Sequence, residues 1–118
     1  MFLRFVAVLF GIAFIFAGVA GFLPQFNPNG LLFGYFLVDP VHNAVHIASG
    51  VIAIMAATRI SLTIWYFRIF GFAYLLTAIA GFWRNGDLFI MHVNMADNIL
   101  HIVIGLLALF FGLRTIKE

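Results

Sequence analysis

FGIAFIFAGVAGF, Phe10 to Phe22, returns further along the chain as FGFAYLLTAIAGF, Phe70 to Phe82. Phe10, Gly11, Ala13, Ala20, Gly21 and Phe22 fall on Phe70, Gly71, Ala73, Ala80, Gly81 and Phe82. A second pair follows, with VDPVHNAVHIASGVIA (Val38 to Ala53) lying over VNMADNILHIVIGLLA (Val93 to Ala108), and beyond it Arg59 falls on Arg114. Sequence doubling of this kind reads as a doubled structural unit, with repeat one over residues 1–60 and repeat two over 61–118. Each unit reads as a helix, a loop bearing Asn-Gly (Asn29-Gly30 and Asn85-Gly86), and a second helix.

The composition says where such a unit lives. Of 118 residues, 65% are hydrophobic and 8% are charged, against about a quarter charged in soluble domains. The chain is therefore read as a single transmembrane domain spanning 1–118, with no separate water-facing core. Cysteine is absent, which excludes disulfides, thiolate ligands and cysteine nucleophiles. Four stretches meet the need for roughly 20 apolar residues per crossing: Leu3–Leu23, Pro40–Ala57, Leu62–Trp83 and Met95–Leu113. A signal peptide is the competing reading of the first, but its apolar run is too long and no small-residue cleavage site follows. Arg4, Arg59, Arg68, Arg114 and Lys117 lie at the chain ends or in the middle turn, and only Arg84 lies in the other two loops. The positive-inside rule then puts both termini in the cytoplasm. The fold expected is an all-α membrane protein, a four-transmembrane-helix bundle built from two parallel helical-hairpin repeats. Their two-fold axis runs along the membrane normal, which argues against an inverted-repeat transporter.

The residues shared by the second and fourth helices are Asn43/Asn98, His46/His101, Gly50/Gly105 and Ala53/Ala108. Their spacing of three, four, three marks one helical stripe. The stripe is expected to face the bundle interior, with Gly50, Gly105, Ala53 and Ala108 as a seam where the second and fourth helices approach closely. Ala13, Ala17, Gly21 and Ala73, Thr77, Gly81 form small-residue ladders on the other two helices, expected to pack inside the bundle.

Helix starts account for part of the polar content. Asp39-Pro40 reads as an N-cap with proline at the first helical position, and Asn94 is its counterpart. Asp97, three residues after Asn94, suits a capping box. Capping does not account for His46 and His101, about two turns in, where polar groups face the bundle and need partners. His42 lies one turn above His46, and Asp97 one turn above His101. Converged across the axis, His42, His46, Asp97 and His101 form a four-ligand set suited to Zn, Fe, Mn or Cu. Asn43 and Asn98 are candidate groups to orient the rings. The plainer alternative is that His46 and His101 bond to Asn98 and Asn43, or to each other, as interhelical polar glue. A secondary soft site for Cu(I) is conceivable at Met91, His92 and Met95. A haem held between His46 and His101 is the further alternative, although close helices conflict with the separation it needs. No phosphate-cradling loop, serine–histidine–carboxylate set or basic aromatic patch is present, so enzyme chemistry of those kinds and nucleic-acid binding have no residues to rest on. The inner halves of the helices carry no ionisable relay for transport. The lipid bilayer is the expected surrounding partner.

HNAVHIASG and DNILHIVIG resemble the paired H-N-x-x-H-x-x-x-G and D-N-x-x-H-x-x-x-G signatures of a group of small bacterial four-helix membrane proteins classed as a domain of unknown function. The likeness covers nearly the whole chain and rests on His42, Asn43, His46, Gly50, Asp97, Asn98, His101 and Gly105. It implies a four-helix fold in the bacterial inner membrane and supplies no activity.

Overall fold

The computed structural model describes residues 2–114. Four helices account for most of it: α1 (Phe2–Phe22), α2 (Pro40–Ala56), α3 (Ile60–Trp83) and α4 (Met95–Leu113). The expected helix ends agree with these to within two residues, because prolines, caps and Asn-Gly turns punctuate the chain sharply. Three of the helices, α1, α3 and α4, are long and apolar enough to cross a membrane, whereas α2 has 17 residues. Most of the large apolar side chains on their outer faces, among them Phe5, Ile12, Phe16, Phe72, Ile79 and Leu106, are exposed. A surface of that kind is stable only against lipid. The protein is therefore membrane-embedded.

Close packing runs within sequence neighbours. α1 lies along α2 and α3 lies along α4, with lesser contact of α3 with α1 and α2. Glycine governs both closely packed pairs. A Cβ on Gly11 would meet the Gly50 carbonyl, and one on Gly50 would meet the Gly11 carbonyl. On the other side Gly105 faces the Gly71 carbonyl, and Gly71 faces Leu109. Gly18 lies against the Asn43 carbonyl in the same way. Without a hydrophobic drive between helices in lipid, such backbone approach supplies the packing that holds a pair together. This corrects the expected seam: Gly50 and Gly105 bring α2 to α1 and α4 to α3, and do not draw α2 onto α4. Their spacing alone cannot tell which neighbour a glycine faces. Ala53 and Ala108 are buried together in a core with Leu3, Ala7, Tyr66 and Phe67. The ladders on α1 and α3 also shift, since Ala13 and Ala73 are exposed while Gly11, Gly18 and Gly21, with Gly71, Ala78 and Gly81, are buried.

Two loops meet at one end. Between α1 and α2 the chain makes a 3₁₀ turn at Pro28–Gly30 and a two-stranded hairpin, β1 (Leu31–Leu32) with β2 (Phe36–Leu37). Between α3 and α4 a single bridge joins Asp87 and His92. Asn29 and Asn85 adopt the left-handed region ahead of their glycines, and Phe33 (φ 55°) and Phe89 (φ 68°) do so at the turn tips. The loops are tied together where Asn94 Nδ2 donates to the Tyr35 carbonyl at 2.9 Å and His92 N donates to Asp39 Oδ2 at 2.9 Å. At the opposite end Arg4 Nε donates to the Ala57 carbonyl at 2.6 Å, and Arg68 Nε to the Gly112 carbonyl at 2.7 Å. These guanidinium groups satisfy carbonyls that the ends of α2 and α4 leave open. Lys117 lies outside the described residues.

Candidate metal centre

The polar groups of the interior collect under the two loops. α2 starts at Asp39, whose Oδ1 accepts from His42 N at 2.8 Å. α4 starts at Asn94, whose Oδ1 accepts from Asp97 N at 3.0 Å, while Asp97 Oδ2 accepts from Asn94 N at 2.9 Å in a full capping box. His42 and Asp97 thus occupy the same position after their caps. One turn further in, His46 on α2 and His101 on α4 are buried.

Three imidazoles converge there. The ring centroids of His42 and His46 are 4.5 Å apart, those of His42 and His101 5.6 Å, and those of His46 and His101 6.1 Å. All three residues are buried, and each offers a ring nitrogen within 4.8 Å of the others. A metal sits about 2.0–2.1 Å from each imidazole nitrogen, so two nitrogens on one ion stand at most about 4.2 Å apart, and the rings would have to draw together to close on it. His42 Nδ1 lies 3.1 Å from the Leu37 carbonyl. A carbonyl only accepts, so Nδ1 carries the proton and Nε2 presents its lone pair inward. His42 Nε2 and both ring nitrogens of His46 and of His101 are buried with no hydrogen-bond partner among the described residues. Native interiors pair nearly all such atoms. The histidine triad can hold a metal ion.

Around the triad the walls are aromatic. Phe14 packs 5.8 Å from His46, Tyr74 5.4 Å from His101, and Phe14 and Tyr74 stack at 5.2 Å. Ser49 Oγ donates to the Val45 carbonyl at 2.8 Å and accepts from Tyr74 Oη at 2.9 Å. On the α2/α3 side the rings border a cavity of about 110 Å³. Sequence reasoning did not single out Tyr74, Ser49 or Phe14, since a tyrosine or serine amid apolar residues carries no spacing signal of its own.

The other expected site residues fall differently. Asp97 is buried but stands outside the group of three, because one of its oxygens is engaged at its own helix start. Asn43 Oδ1 is aimed at Gly21 and Asn98 Oδ1 at Gly81, each toward its hairpin partner. No hydrogen bond links either asparagine to an imidazole among the described residues. Met91, His92 and Met95 do not converge: Met91 is buried, whereas Met95 is exposed and His92 turns outward toward Asp87, with Nε2 3.7 Å from Oδ1. Alternation of direction along the short extended segment separates His92 from Met91, and Met95 already belongs to the first turn of α4.

A family model described as "Domain of unknown function (DUF4383)" matches residues 4–114. Comparison with curated proteins and with solved structures found no match.

Proposed function

The chain belongs to the DUF4383 family of domains of unknown function, and from that premise we propose that it is a membrane protein holding a transition metal ion on His42, His46 and His101. The observation that carries this reading is that five ring nitrogens of the triad are buried with no partner among the described residues, and that one nitrogen from each of the three histidines, on two helices, comes within 4.8 Å of the others. Polar glue accounts for them poorly, because glue requires the hydrogen bonds that His46 and His101 lack. Asp97, one turn from His101, is assigned to the helix start, where its charge also offsets that of an ion below it. A haem finds little support, since the His42 ring occupies the space beside both His46 and His101 that a macrocycle needs.

The proposal extends to architecture and place. Four crossings in one domain, two parallel hairpins over 1–60 and 61–118, are supported by the matching glycine contacts, caps and left-handed loop phenylalanines of the two halves. α2 crosses as a short helix sheltered by α1. The basic residues Arg4, Arg59, Arg68 and Arg114 gather at the end away from the loops, while Arg84 pairs with Asp87 at 4.0 Å. By the positive-inside rule the termini are cytoplasmic and the metal lies near the outer surface, in a bacterial inner membrane as the paired motifs imply. Exposed Trp83, Tyr35 and Phe89 around the loops suit an interfacial belt.

Metal analysis of detergent-purified protein tests the reading, beside a His46→Ala, His101→Ala double variant. Stoichiometric metal in the wild type and background metal in the variant are expected. A wild type that stays empty after incubation with zinc, cobalt or copper, and a variant that only loses stability, would establish the second reading: a non-catalytic accessory protein with a structural polar cluster. A colourless preparation from haem-replete cells excludes the haem variant.

A further inference from the structure

We infer that Met91 supplies a sulfur ligand to the three-histidine centre and makes it selective for copper(I) over zinc; the inference rests on the metal reading above. Met91 belongs to a loop whose neighbours face outward. Phe89 is 75% and Ile90 71% exposed, yet Met91 is 9% exposed and lines the same cavity as His42, His46 and His101. The turn that tucks it inward is built, not slack. Phe89 holds a left-handed backbone (φ 68°), Leu88 N donates to the Met91 carbonyl at 3.0 Å, and the next residue is pinned through His92 N to Asp39.

The chemistry of the donor set follows from its members. Three neutral imidazoles alone suit several divalent ions, but a thioether is a soft ligand that favours Cu(I) and contributes little to Zn(II). Thioether and imidazole are both uncharged, so the donor set itself offsets none of the ion's charge, and beside the single carboxylate of Asp97 a divalent ion leaves one more charge in the low-dielectric interior than a monovalent ion does. Charge burial without compensation is costly, which pushes the same way. Met91→Leu removes the sulfur and keeps apolar bulk, a swap that cores tolerate.

The test measures Cu(I) and Zn(II) affinities of the detergent-purified protein by competition with chromophoric chelators under anaerobic conditions, for wild type, Met91→Leu and the exposed control Met95→Leu. Met91→Leu is expected to weaken Cu(I) on the order of tenfold or more, leave Zn(II) unchanged, and match Met95→Leu in folding. X-ray absorption of Cu(I)-loaded wild type is expected to show a sulfur neighbour, a readout that needs no variant. Unchanged Cu(I) affinity in Met91→Leu, or a copper shell of nitrogen alone, overturns the sulfur ligand and leaves the histidine centre standing. Binding of neither ion by the wild type overturns both.

Discussion

His42 and Asp97 occupy the same place in their helices, and the difference between their side chains divides the work of the site. A carboxylate at the third position can reach back and accept from its cap's N–H, and Asp97 does so. An imidazole there has no such use. The His42 ring instead turns inward, donates to Leu37, and frees its other nitrogen. The two residues should therefore separate by experiment. Asn94→Ala breaks the capping box and is expected to cost about 1 kcal/mol of stability, seen as a lower thermal midpoint in detergent, with metal content intact. His42→Ala is expected to do the reverse, emptying or strongly weakening the site while the helix start survives. Equal metal loss in both variants would show that the cap and the triad are one structure.

At the scale of elements, the helices and their hairpins were legible from sequence, and the neighbour that each glycine meets was not. Hydropathy, Pro40, Asp39 and Asn94 set the ends of α2 and α4 because each acts through bonds to its own chain. Gly50 and Gly105 announced close packing, but a glycine presents no side chain whose chemistry names its neighbour. The neighbours are Gly11 and Gly71. Gly50→Leu is accordingly expected to force α1 from α2, an overpacking cost of about 1–3 kcal/mol or more, read as loss of monodisperse protein on size exclusion. Ala13→Leu, on the exposed side of α1, is expected to leave elution and yield near wild type. If Gly50→Leu were tolerated equally, glycine contact would not be what joins the hairpin.

For the molecule as a whole, an ion on the proposed centre would link the two hairpins. His42 and His46 come from one and His101 from the other, so an ion that binds only the folded arrangement would stabilise their association. An ion at a hundredfold excess over its Kd is expected to add about 2.7 kcal/mol, raising the thermal midpoint of the wild type, with chelation reversing the gain. The His46→Ala, His101→Ala variant should show no such response. Orientation is open to a second measurement. The chain lacks cysteine, so single cysteines at Asp87 and Thr58 can be labelled with an impermeant maleimide in intact cells. Labelling is expected at position 87 and protection at 58, and the opposite pattern would invert the membrane placement.

The sequence by itself determined the membrane setting, the helix ends, the caps and the candidacy of His42, His46 and His101. Those features depend on local composition, period and spacing. The tertiary structure alone decided which helix each glycine meets, that three imidazoles gather without Asp97, and that Met91 is buried beside their cavity while His92 and Met95 are exposed. Each of those outcomes depends on which surface a side chain or a bare stretch of backbone meets across space, and no residue pattern along the chain encodes that meeting.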